Sequence, residues 1–124
     1  MEAIYDSRGN VVGWRRRATI FDPAGNPRAF ISQRALFTYD GKFLGRLEDG
    51  WYRDPEGHPV AFEAHASGGP MRPVLQPGAV PPLPDPDPAP LPVGPLPPPP
   101  RIRSSKWSPL DWDRFLRGVP VANQ

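Results

Sequence analysis

Glycine recurs at Gly9, Gly25, Gly41 and Gly57, sixteen residues apart each time, and the neighbours of each glycine recur with it. Three positions earlier stand Asp6, Asp22, Thr38 and Asp54, side chains whose oxygen can accept a hydrogen bond from a turning backbone. Two copies read Asp22-Pro23-Ala24-Gly25 and Asp54-Pro55-Glu56-Gly57. Asp at the first position, Pro at the second and Gly at the fourth describe a type I turn whose glycine takes the left-handed conformation of a G1 bulge. Before the turns come Ile4-Tyr5, Ile20-Phe21, Leu36-Phe37 and Trp51-Tyr52, pairs with high strand preference. Beyond them run residues 10–15, 26–31, 42–47 and 58–63. Each copy is therefore expected to be a β-hairpin, and residues 1–66 a domain of four tandem hairpins with pseudo-fourfold symmetry.

Four places after each glycine sits a very small residue, Gly13, Ala29, Gly45 or Ala61, which suggests backbones converging there, as around a central axis. Copies two and four share Asp-Pro-x-Gly-x-Pro-x-Ala-Phe, so a duplicated pair of hairpins is implied. Pro27 and Pro59 have no N–H for a ladder and are expected at edges or bulges. The tandem Asp-x-x-Gly turns with a following Gly or Ala resemble the bacterial 4-fold beta flower domain family over residues 3–66. That resemblance implies four hairpins set like petals, in a family largely without known activity, and supplies no reaction. Thr38 departs from the Asp pattern.

From Pro70 to Pro100 the chain holds fifteen prolines and no aromatic residue. Such a segment buries too little apolar surface to offset its ordering entropy, so residues 67–106 are expected to be a disordered, extended linker. Pro97 to Pro100 followed by Arg101 also resembles a ligand for aromatic-lined grooves. After the linker, Ser108 as N-cap, Pro109 at the first helical position, Asp111 in the first turn and Gly118 at the end predict a short amphipathic helix over 107–118, with Trp107 and Trp112 as a hydrophobic staple. Trp112, Phe115 and Leu116 share one face of it and need a partner, either the chain's own β-domain or a groove on another protein. Residues 119–124 are expected to be disordered.

The formal charge of +2 lies in the tail: residues 1–66 balance nine basic against nine acidic side chains. A neutral domain lacks the basic footprint of a nucleic-acid binder, although Arg15, Arg16 and Arg17 form one dense run that could touch an anion. Absence of cysteine removes thiol chemistry, no catalytic motif surrounds a serine, and His58 with His65 lacks a third ligand for a metal. Gly68-Gly69 reads as a domain end. No cofactor, membrane span or signal peptide is indicated, and a cytoplasmic location is the default. The expectation is a non-enzymatic binding module, acting on a protein partner through Trp107, Trp112, Phe115 and Leu116 or through Arg15 to Arg17. A self-assembling structural protein is the alternative, with nucleic-acid or anion binding behind it.

Overall fold

The computed structural model describes residues 1–76, 96 and 104–120. Eight strands follow in order: β1 (Glu2–Tyr5), β2 (Val11–Arg16), β3 (Thr19–Phe21), β4 (Pro27–Ser32), β5 (Ala35–Phe37), β6 (Phe43–Glu48), β7 (Trp51–Arg53) and β8 (Pro59–Glu63). Each pairs antiparallel with the next, and β1 pairs with β8, so the sheet closes into a barrel with no exposed edge. Among the described residues one helix follows, α1 (Trp112–Leu116).

The four hairpins are those expected from the sixteen-residue repeat. Asp6 Oδ1 accepts from the amides of Arg8 and Asn10, Asp22 Oδ1 from those of Ala24 and Asn26, and Asp54 Oδ1 from those of Glu56 and His58. In the third copy Thr38 Oγ1 accepts from Lys42 N at 3.0 Å and its hydroxyl donates to Asp40. The four turn glycines have φ between +82° and +94°, and one residue bulges from each hairpin register, as between Ile4 and Tyr5. Pro27 and Pro59 sit opposite Phe21 and Arg53 at those bulges. Closure leaves no edge strand, so only the bulge half of the sequence expectation applies to them.

Inside the barrel, Ile4, Ile20, Leu36 and Tyr52 occupy one ring of equivalent positions and are all fully buried. They join Ala29, Leu44, Val60 and Ala61 in one core. At Gly13 and Gly45 the backbone is crowded as expected, but by the neighbouring strand and by the tail and not around a central axis. A Cβ on Gly13 would lie 2.8 Å from the Phe21 carbonyl oxygen and 3.3 Å from Trp112 Nε1. One on Gly45 would lie 2.0 Å from the Arg53 carbonyl oxygen and 2.9 Å from Phe115.

On the outside, adjacent hairpins meet at cross-strand pairs: Trp14 with Phe21, Phe30 with Phe37, and Phe62 with Tyr5. The last two are stacked at 5.6 Å. The fourth junction carries Arg46 opposite Arg53 instead. The aromatic pair Trp51-Tyr52 read before the fourth turn thus lies one residue early, and Arg53 holds the position of Tyr5, Phe21 and Phe37. Trp14 and Trp51 are both buried, at 5% and 1% exposure.

Candidate functional site

The tail supplies the first set of contacts. Arg53 donates from Nη1 to the carbonyls of Gly57 and Ser104, both at 2.6 Å. Ser108 N donates to Pro59 O at 2.8 Å, and its hydroxyl donates to Asp54 Oδ2 at 2.6 Å. Those bonds hold residues 104–108 along the fourth hairpin, and this moves the helix start. Asp111, not Ser108, is the N-cap, its carboxylate accepting from Arg114 N at 2.8 Å, so α1 spans five residues, Trp112–Leu116, within the 107–118 expected. Trp107 consequently forms no staple with Trp112. It packs edge-on against Trp51 at 5.7 Å and lies near Phe62. Gly118, at φ +72°, ends the helix: its amide bonds to Phe115 O and that of Val119 to Arg114 O.

Trp112, Phe115 and Leu116 enter the barrel core at the mouth ringed by the four Asp/Thr-x-x-Gly turns. Trp112 meets Tyr52 edge-on at 5.2 Å and stacks on Phe115 at 5.5 Å. Its indole Nε1 is buried with no hydrogen-bond partner among the described residues. Beside the helix, a groove of about 700 Å³ runs between the first two turns and residues 107–113. Val12, Val60, Trp112 and Leu116 contribute apolar lining, and Arg28 reaches Asp113 across it at 3.6 Å. This volume falls within the range of small-ligand clefts.

A second cluster occupies the opposite mouth. Glu63 is 1% exposed, yet it is charged, because Arg15 meets it with two parallel bonds: Nε to Oε2 at 2.6 Å and Nη2 to Oε1 at 3.0 Å. The Tyr52 hydroxyl donates to Oε2 at 2.6 Å. Burial alone would raise the Glu63 pKa, but the bonds from Arg15 and Tyr52 outweigh it and hold the carboxyl below its ordinary value. Tyr52 titrates well above its usual range, from burial first and the neighbouring carboxylate second. The Glu63 bonds raise Arg15 in turn, against the cost of burial. His65 stands 3.5 Å from Glu63 and 3.8 Å from Glu2. One atom from each of Glu2, Glu63 and His65 lies within 4.8 Å of the others, but the Glu63 oxygens already hold Arg15 and Tyr52, so the group reads as an ion-pair cluster.

The arginine run is not one patch. Arg15 points to Glu63 and donates to Arg17 O, Arg16 lies 5.0 Å over the Phe21 ring, and Arg17 is exposed in the connection after β2. His58 and His65 lie at opposite ends of β8, and His58 Nδ1 sits 3.2 Å from Lys106 O. Glu63 and Tyr52 were not singled out from sequence. Aligning the four copies would have found them: Arg15 and Glu63 share a column with Ile31 and Leu47, and Tyr52 one with Ile4, Ile20 and Leu36.

Residues 67–76, part of the expected linker, lie against the barrel. Trp51 Nε1 donates to the carbonyls of Ser67 and Gly68, Arg72 to Ala64 O, and Gln76 N to Gly9 O. Most of the remaining linker, and residues 121–124, fall outside the described residues. Among the described residues no helix is long and apolar enough to cross a membrane. No curated protein and no solved structure matches the chain. A family model, that of the 4-fold beta flower protein, matches residues 2–116, from the first barrel strand through the tail helix. The chain belongs to the 4-fold beta flower family.

Proposed function

We propose that this chain is a non-enzymatic binding module, with the C-terminal helix as its internal clasp and the groove beside that helix as its recognition surface. The observation that carries the reading is the burial of Trp112, Phe115 and Leu116 in the barrel core, at 6%, 1% and 3% exposure. A face used inside its own barrel is not on offer to a partner. The groove it helps to form has a mixed lining, Val12, Val60 and Leu116 beside the charged side chains of Asp22, Arg28 and Asp113, which suits contact with a protein surface. Arg15 and Arg16 are engaged within the barrel, which ranks anion or nucleic-acid binding behind protein contact.

The test compares capture of proteins from a cell lysate by the intact chain and by Phe115→Ala, which loosens the clasp. The reading expects specific capture by the intact chain and weaker capture by the variant. Stronger capture by Phe115→Ala would show that the clasp masks the binding surface and does not form it, and no specific capture by either would end the binding reading.

A further inference from the structure

Three of the four outer junctions between hairpins receive a covering group. Trp107 covers the Phe62–Tyr5 junction, and Arg16 lies over Phe21 at the junction it forms with Trp14. At the junction of the second and third hairpins the stacked pair Phe30 and Phe37 is extended by Tyr39, 5.3 Å from Phe30, and by Phe43, 5.9 Å from Phe37. Leu96 packs against the same cluster; it lies more than fifty residues further along the chain and is flanked in sequence by Pro95 and Pro97.

We propose that the patch of Phe30, Phe37, Tyr39 and Phe43 is a docking site for a leucine between two prolines, filled in cis by Leu96. Three considerations support that occupant. Flanking prolines fix φ and lower the entropy lost on docking, the physical basis on which aromatic-lined grooves select proline-rich segments. A branched aliphatic side chain between flat rings gains contacts that alanine cannot. The same triplet, Pro-Leu-Pro, occurs three times in the chain, at 82–84, 90–92 and 95–97, so the site faces several ligands of one kind on one tether. At a tethered effective concentration of about millimolar, a cis occupant outcompetes a free partner until that partner is abundant or carries several such triplets. This inference concerns a different face from the groove beside α1 and stands or falls apart from the binding reading given above.

The experiment replaces all three leucines, Leu83→Ala, Leu91→Ala and Leu96→Ala, in the full chain and follows the ring resonances of Tyr39 and Phe43 by NMR. The indole signals of Trp51 and Trp112 report that the fold is intact. The proposal expects the two rings to shift in the triple variant and to return toward their original positions when the peptide acetyl-Gly-Pro-Leu-Pro-Pro-amide is added. It expects the same peptide with Ala for Leu to bind at least about tenfold more weakly. Wild type should bind the leucine peptide at least about tenfold more weakly than the variant does, because Leu96 holds the site. Unchanged ring signals in the triple variant, or equal binding of the two peptides, would overturn the site. Ring signals of the wild type that vary with protein concentration would overturn the cis assignment in favour of a second copy. If the triple variant loses its tryptophan dispersion, Leu96→Ala alone under the same titration decides the question.

Discussion

Replacing Glu63 alone, and then with its two partners, separates the value of the ion pair from the cost of burying its parts. In Glu63→Leu the Arg15 guanidinium loses both of its carboxylate bonds and the buried Tyr52 hydroxyl loses its acceptor. Removing one member of a buried pair costs about 3–5 kcal/mol, and an orphaned hydroxyl about 1–3 kcal/mol. Arg15 keeps 23% of its side chain in water, which reduces the first figure, so the single change should cost about 3 kcal/mol. The triple variant Arg15→Ile, Tyr52→Phe, Glu63→Leu gives those positions the apolar character of Ile31, Leu47 and Leu36 in the other copies. No charge or hydroxyl of this cluster is then left buried, and its stability should lie within about 1 kcal/mol of wild type or above it. Urea unfolding at pH 7 measures both, and the triple variant should be at least about 2 kcal/mol more stable than Glu63→Leu. Acid adds a sign. Glu63 has a folded pKa below its ordinary 4.5, so its contribution is present above pH 4.5 and is lost as pH falls through the depressed value. Wild type should therefore lose ground to the triple variant on acidification. A triple variant no more stable than Glu63→Leu, or a gap that ignores pH below 4.5, would refute the account.

Three other substitutions test the scaffold. Phe115→Ala removes a ring that is 1% exposed and should cost about 3–5 kcal/mol, lowering the melting temperature by more than about 10 °C; an unchanged melt would show that the helix does not hold the barrel. Gly45→Ala sets a methyl 2.0 Å from the Arg53 carbonyl oxygen and should cost about 3 kcal/mol by urea unfolding, whereas Ala61→Gly at the equivalent position should cost about 1 kcal/mol. Gln33 and Arg34 both hold positive φ, 53° and 65°, in a two-residue connection for which Asn-Gly is suited. The pair of changes Gln33→Asn and Arg34→Gly should raise stability by about 1 kcal/mol, read as an upward shift of about 4–8 °C in the melt.

What the sequence made legible was whatever depends on near neighbours. The Asp/Thr-x-x-Gly turns and their bulges are decided within five residues, and all four hairpins formed, although the aromatic pair before the fourth turn lies one residue early. The apolar face of Trp112, Phe115 and Leu116 was legible for the same reason. The helix start was not, since Ser108 satisfies the local rules for an N-cap, but its amide and hydroxyl are taken by Pro59 and Asp54, some fifty residues away. The buried cluster escaped on similar grounds. Arg15 reads locally as part of a basic run and Glu63 as a strand end, and only the closed order of β1 and β8 brings them together.

A fourfold barrel offers four equivalent junctions and one plugged mouth, but it carries a single tail, so the symmetry must break wherever the tail is bound. The departures fall there. Arg46 and Arg53 replace an aromatic pair at the junction beside Ser104, and two like charges face to face would repel. Arg53 keeps its charge but is solvated by the Ser104 and Gly57 carbonyls it holds, and Arg46 lies 5.1 Å over the Phe43 ring. Tyr52, the aromatic member of a ring otherwise made of Ile4, Ile20 and Leu36, meets Trp112 on one side and Glu63 on the other. It therefore links the helix-filled mouth to the charged one. Positions that repeat specify the barrel; positions that break the repeat specify how one asymmetric segment is held by it.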